Sequence, residues 1–383
     1  MNDRPRTILQ VLPKLDAGGA ERVAIEIAEA VRLAGHRSII AAEDGHLSSL
    51  AARAGVEVIH LGLSTKNPLK IWRNTRKLKK IIKENQVDLV HAHSRAPAWS
   101  AYRAAKRVGI PFITTYHGAY GERTRLKKRY NKVMAAGARV VAVSHFIEDL
   151  IKSRYNIDPK KISVIHNGVD LQKFDPASVR GDRAVRLAKE WRIENGQPAI
   201  LLPARLTGWK GQRLFIRALA KMRHDEAVGI LIGSDQGRHK YTGELLALAE
   251  RLGVGGRLRL AGHVDDMPAA LKLADIVVNC STEPEAFGRT IIEAQAMGKV
   301  VVAAGHGGAH ETIDPDVSGF LFPPGDETAL AAIFDAILDG DIDLRLAFGA
   351  RAREEVGARF SIEAMQTRYL HLYAELLDTE LLD

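Results

Sequence analysis

The sequence predicts an α/β protein built from two doubly wound parallel sheets. Three observations predict it. Apolar runs of strand length alternate with helical segments along almost all of the 383 residues, a length suited to two or three domains. The alternation pauses once, between residues 171 and 196, in a polar and charged stretch, and then restarts. Charge divides at nearly the same place. Residues 1–166 carry 30 Lys and Arg against 14 Asp and Glu, whereas the remainder carries 25 against 32, so a basic half precedes an acidic one.

The first unit opens with Thr7-Ile8-Leu9-Gln10-Val11-Leu12-Pro13, which has the length and apolarity of a buried strand. Gly18-Gly19 follows, and residues 20–28 have a helical pattern. Strand, glycine loop and helix come in the order of a nucleotide fold, but without the G-x-G-x-x-G fingerprint. Two adjacent glycines let the backbone approach a ligand closely; they equally make a plain tight turn. Residues 38–42, 56–61, 87–93, 111–118, 140–144 and 162–166 read as further strands. The run 111–118 ends in His117-Gly118, at the sheet edge where open α/β folds bind ligands, so His117 is a candidate site residue as well as an ordinary packed histidine.

The second unit restarts with a strand over 199–204, followed by the loop Arg205-Leu206-Thr207-Gly208-Trp209-Lys210-Gly211-Gln212. Two cations at a strand-to-helix turn suit a diphosphate; the plainer reading is a solvated loop. Strands over 228–234, which closes on Gly233, and over 258–264, which closes on His263-Val264, come next. Residues 274–279 then lead into Glu285-Ala286-Phe287-Gly288-Arg289-Thr290-Ile291-Ile292-Glu293. A helix starting near Gly288 puts Glu293 on its second turn and Glu285 in the loop before it, with the N–H groups of Phe287, Gly288 and Arg289 at an anion-favouring helix start. One segment then offers a carboxylate for a sugar, amides for a phosphate and a carboxylate for a ribose. The plainer reading is acidic residues at a helix start. A strand over 299–304 runs into the glycine loop Gly305-His306-Gly307-Gly308-Ala309-His310-Glu311, which opens a helix, and 319–326 forms the last strand and turn.

Composition narrows the function classes. Cys280 is the single cysteine, which excludes an internal disulfide, fits a reducing compartment and, beside Val277-Val278-Asn279, reads as a small core residue. The polar start Asn2-Asp3-Arg4-Pro5-Arg6 does not read as a secretory leader, and no apolar run has the length of a bilayer span. The expectation is a cytoplasmic protein, peripheral on the inner face of the cytoplasmic membrane. The basic excess concentrates in residues 66–83, an amphipathic pattern containing Trp72, and in residues 123–132. Such segments bind anionic membranes; a solvated helix packed on its own sheet is the alternative. Nucleic acid is not expected, because no recognised binding module is present.

As a set, Gly18-Gly19 with Glu21-Arg22, His91-Ala92-His93, His117-Gly118, Asn167-Gly168-Val169-Asp170, Arg205 with Lys210-Gly211, Gly262-His263, Glu285 through Glu293, and Gly307-Gly308 with Glu311 resembles glycosyltransferase family 4 of the GT-B fold. The likeness is greatest to bacterial cell-envelope enzymes, including lipopolysaccharide-core transferases. The resemblance implies two Rossmann-like lobes facing across a cleft. Residues 1–168 would bind the acceptor, 169–196 would form the crossover, 197–361 would bind the donor, and a helix over about 362–383 would pack back on the first lobe. It implies a retaining hexosyltransferase that uses a UDP- or GDP-sugar and no metal or other cofactor. Arg205 and Lys210 would neutralise the diphosphate. Glu285 would bind the donor sugar beside the amides of Phe287 and Gly288, with Arg289 and Thr290 at the same helix start, and Glu293 would take the ribose. His117 would reach the sugar. His263 and Val264 would contact the base, with Gly233 also on the donor side, and Gly18-Gly19 would lie against the phosphate.

Metal-dependent transferases of the other common fold use an Asp-x-Asp pair. Asp314-Pro315-Asp316 and Asp341-Ile342-Asp343 lie away from strand ends and read as surface turns. Three rivals remain at this level. A phosphorylase of related fold needs a lysine-linked pyridoxal phosphate, which nothing marks. A sugar-nucleotide 2-epimerase would yield an epimer without any acceptor. A non-enzymatic basic lipid- or nucleic-acid-binding protein would tolerate Glu285→Ala.

Overall fold

The computed structural model describes residues 4–16, 18–122 and 124–378. Arg123 of the second basic segment, and residues 379–383 of the expected C-terminal helix, lie outside these. The chain forms two compact units, Met1–Gly168 with Ile362–Asp383, and Val169–Ser361.

The first unit is a seven-stranded sheet in the order β3-β2-β1-β4-β5-β6-β7, every neighbour parallel. The strands are β1 (Thr7–Lys14), β2 (Arg37–Glu43), β3 (Glu57–His60), β4 (Leu89–Ala92), β5 (Phe112–Tyr116), β6 (Arg139–Ala142) and β7 (Ile162–Val164). Strands β1, β4 and β5 are buried almost end to end, as expected where helices cover both faces. The helix Gly19–Leu33 places Val23, Ile27 and Val31 on Ile8, Leu89 and Ile113, in the same apolar cluster as Met365, Tyr369, Leu370 and Tyr373 of the helix Ile362–Leu377.

The second unit is a six-stranded parallel sheet in the order β10-β9-β8-β11-β12-β13. Its strands are β8 (Ala199–Pro203), β9 (Val228–Ile232), β10 (Leu258–Gly262), β11 (Ile276–Asn279), β12 (Val300–Ala304) and β13 (Phe320–Phe322). One core runs through it from Ile200 and Leu231 to Phe215, Phe334 and Phe348.

Several details differ from the sequence reading. Residues 169–196 belong to the second unit and contain a helix from Gly181 to Glu190, anchored where Arg183 donates to Asp266 at 2.6 and 2.8 Å. The glycine loop 305–311 opens a single helical turn, Ala309–Thr312, before β13 pulls the chain back into the sheet. Asp341 is the N-cap of the helix Ile342–Arg359 rather than a turn residue, since its Oδ1 accepts from the Asp343 amide. Asp314 and Asp316 do lie in an exposed turn.

Strand order fixes where a ligand belongs. In each sheet the chain winds outward from a central strand and then returns to its other side. The connections therefore leave on opposite faces and open a crevice at the carboxyl ends of two adjacent strands. Those pairs are β1 with β4, and β8 with β11.

Candidate functional site

The crevice of the second unit lies between the loops after β8 and β11. Lys210 Nζ donates to Glu285 Oε1 at 2.7 Å, and the two side chains are only 15% and 16% exposed. Ser281 also donates through its hydroxyl to Glu285 Oε1. Burial alone would push the Glu285 carboxyl up. The Lys210 charge and hydrogen bonds from Lys210, Ser281 and Asn279 outweigh it and hold the group below the ordinary carboxylate range. Lys210 further lies 4.3 Å from the centre of the Trp209 ring. Arg205, at the end of β8, is exposed, and its guanidinium has no hydrogen-bond or ion-pair partner among the described residues. The loop after β8 thus carries one exposed cation and one mostly buried lysine that is already paired.

Glycines shape this crevice by absence of bulk. Gly211 has φ +76°, and a Cβ there would overlap the backbone carbonyl of Cys280, so the loop after β8 is pressed against the end of β11. Gly307 has φ +61°, a Cβ there would lie 2.5 Å from the Glu285 carbonyl oxygen, and the neighbouring Gly308 amide donates to that oxygen at 2.9 Å. The Gly307-Gly308 loop therefore supports the backbone of the Glu285 segment. Cys280 is buried, and burial pushes its thiol up, consistent with a core residue.

The helix Arg289–Ala296 begins after Gly288, which has no side chain to cap it. Arg289 Nε and Glu293 Oε1 lie 3.7 Å apart one turn in, both side chains mostly buried, and Thr290 follows Arg289 in the first turn. Phe287 is buried and meets Phe360 edge to face at 5.5 Å between ring centres. Beside β8, the Gly233 amide donates to the Gly262 carbonyl at 2.7 Å, joining the ends of β9 and β10. His263 follows, exposed and 3.1 Å from Asp265, with Val264 half-buried.

In the first unit the crevice at β1 and β4 holds Gly18 and Gly19 at the start of the helix Gly19–Leu33. Gly18 has an extended backbone, and what it avoids is contact with the Glu21 carboxylate. Half-buried His117, just beyond β5, contacts His93 across 2.9 Å, and His93 in turn contacts Gln10 Oε1 across 2.7 Å. His91 bonds Tyr373 Oη at 2.7 Å and Thr115 Oγ1 at 2.8 Å. Burial, reinforced by neighbouring histidines, holds both His91 and His93 well below the usual imidazole value.

The sequence reading missed Ser281 and Asn279 as partners of Glu285, and Gln10 as partner of His93. The signal for the first two was available, because Asn279 ends β11 and Ser281 follows it, at the ligand edge. For Gln10 it was a lone amide inside an otherwise apolar strand, which must find a hydrogen-bond partner when buried.

Two parallel doubly wound units, with glycine loops, cations and carboxylates at their switch points, define the GT-B class of glycosyltransferases. Residues 17–173 match the family described as Glycosyltransferase Family 4, and residues 186–355 match Glycosyl transferases group 1. The chain belongs to glycosyltransferase family 4. It is 31% identical to a D-inositol 3-phosphate glycosyltransferase of Salinispora tropica over 75% of this chain, an alignment that spans 64% of that relative's length. A glycosyltransferase structure from Rickettsia africae is 36% identical, with a TM-score of 0.88 over 97% of this chain and 99% of that one. The Anabaena protein HepE, solved in complex with UDP-glucose, is 25% identical, with a TM-score of 0.85 over 96% and 99% of the two chains.

Proposed function

We propose that the chain is a retaining, metal-independent hexosyltransferase that takes its sugar from a nucleotide diphosphate. The Lys210–Glu285 pair at the β8/β11 switch point, with Arg205 in the same loop after β8, carries this reading. The departing diphosphate gains negative charge as the glycosidic bond breaks, and preorganised cations lower that barrier most. Arg205 meets the diphosphate first. Lys210 shifts part of its charge from Glu285 to the phosphate. Glu285, held ionised, accepts from hydroxyls of the donor sugar. Amides at Phe287, Gly288 and Arg289 add the field of a helix start, with Thr290 in the same turn. Glu293 takes the ribose, His263 and Val264 border the base, and Gly233 lines the same edge. Front-face attack, in which the departing phosphate accepts the acceptor's proton, gives retention without a second carboxylate.

The UDP-glucose held by the 25% identical Anabaena structure favours a UDP-hexose over a GDP-hexose. The acceptor is a membrane-associated glycan or lipid such as lipopolysaccharide core. Support comes from the two basic segments of the first unit. In them Leu69 is 72% exposed, Trp72 44% and Leu126 79%, all among exposed lysines and arginines. Cations with apolar side chains among them suit an anionic bilayer surface on the cytoplasmic side. Among the described residues no helix is long and apolar enough to cross a membrane. The name of the Salinispora relative supports a second acceptor reading, a small phosphorylated polyol.

The test is a thermal-shift screen of UDP-, GDP- and ADP-hexoses, followed by product analysis with and without EDTA. Stabilisation by a UDP-hexose and EDTA-resistant, anomer-retaining transfer are expected. Arg205→Ala should lower turnover by ~10²–10³-fold. An epimer formed without acceptor, or unchanged turnover in Arg205→Ala, would overturn the reading.

A further inference from the structure

The Arg205 side chain is exposed, yet the backbone that carries it is pinned three times over. The Ala204 amide donates to the Ile232 carbonyl at 2.8 Å, and the Leu206 amide donates to the Ser234 carbonyl at 3.1 Å. The Arg205 carbonyl between them accepts from Gln212 Nε2 at 2.9 Å. Gln212 is the first residue of the helix Gln212–Lys221 and is fully buried. Its partners fix which way its amide points. A carbonyl can only accept, so the atom facing Arg205 is the amide nitrogen, and the amide oxygen faces Tyr241. That oxygen also only accepts, so the Tyr241 hydroxyl donates to it across 3.1 Å. Tyr241 belongs to the helix His239–Arg251. The Arg213 guanidinium lies 5.1 Å from the centre of its ring and pairs with Glu244 on the same helix. Two helices thus converge on one carbonyl of the loop after β8. A buried amide is costly unless both of its ends are bonded, and a leucine would fill the position with no such demand. What the amide adds is a fixed place for the Arg205 backbone.

We propose that Gln212 and Tyr241 are positioning residues for sugar transfer: by fixing the Arg205 carbonyl they set where its guanidinium meets the diphosphate. This role rests on the reading of Arg205 as a diphosphate contact; the hydrogen-bonded chain itself does not. A long cationic side chain sweeps a broad arc, and it lowers the barrier most when it already stands where charge develops. A misplacement of about 1 Å costs on the order of 10²-fold in rate. With the backbone pinned, only rotation of the Arg205 side chain is left to be ordered when the nucleotide binds.

Gln212→Leu and Tyr241→Phe, each made in the parent and in the Arg205→Ala background, decide it, with turnover read as UDP released from a UDP-hexose. Gln212→Leu should lower kcat by about 10-fold or more while KM for the UDP-hexose moves by less than about threefold, because the contact matters most in the transition state. Tyr241→Phe removes one oxygen and keeps the ring, and should lower kcat in the same direction by less. With Arg205 already replaced, little further loss is expected from either variant. Equal losses in both backgrounds would mean that the pair acts on the fold rather than through Arg205, and would overturn the inference. Parent-like turnover in Gln212→Leu beside an impaired Arg205→Ala would also overturn it and leave the diphosphate reading standing. If Arg205→Ala itself turns over like the parent, the diphosphate reading fails and this role fails with it. Should Gln212→Leu lose its cooperative melt, the same comparison with Tyr241→Phe decides.

Discussion

Replacing Lys210 by Met strands the Glu285 carboxylate in a site where only 16% of its side chain is exposed. The pair is 2.7 Å long. At an effective dielectric of ~20, charges ~4 Å apart attract by ~4 kcal/mol. Breaking one side of a largely buried pair costs about 3–5 kcal/mol, because the remaining charge keeps its desolvation penalty. Ser281 continues to donate to Glu285 and places the loss toward the lower end. For a unit the size of Val169–Ser361 this corresponds to a fall of about 6–20 °C in its calorimetric transition. The pH dependence sharpens the test. In the parent, the Glu285 carboxyl is held below its unfolded value, so its contribution is complete above that value and fades as pH falls through the folded one. In Lys210→Met, burial is opposed only by neutral donors, the carboxyl rises, and acid relieves the buried charge. The gap between the two melting curves should therefore narrow from about pH 7 to pH 4. Lys210→Met with Glu285→Gln should recover most of the loss. A gap that stays constant with pH, or a double variant as unstable as the single one, would refute the reasoning.

Three other outcomes follow from the same structure. Gly211→Ala should cost about 1–3 kcal/mol and lower the second unit's transition, since it combines a left-handed φ with overlap on Cys280; an unchanged melt by circular dichroism would contradict this. Vesicle co-sedimentation should require anionic lipid, weaken as salt rises and weaken again in Leu69→Ser/Trp72→Ser; equal binding to neutral vesicles would contradict it. The first unit should lose stability below about pH 6.5, because His91 and His93 are held neutral by burial and the unfolded chain takes up the protons; His93→Gln should flatten that slope in pH-resolved melts.

The fold was legible because parallel strands covered on both faces appear as unbroken apolar runs. Val228–Ile232 and Val300–Ala304 are plain examples. Strand ends were read one or two residues too long where a polar residue follows, as at His93 and Ser144. The helix Gly181–Glu190 lies inside the stretch read only as polar and charged, because its start carries Gly181 and charged residues rather than an apolar repeat. The individual carboxylates and cations of the site could be found from their place after strands. Their pairing could not, since Lys210 and Glu285 are 75 residues apart and meet only because β8 and β11 are neighbours. The contact of Gln10 with His93 was hidden for a similar reason: a buried amide in an apolar strand has no periodicity, and its partner lies 83 residues further along.

Hydrogen exchange of the full chain with and without a UDP-hexose tests the central claim most directly. Slower exchange at residues 205–212, 262–266 and 285–293 is the predicted result. Protection elsewhere in the chain, with these three segments unchanged, would contradict it.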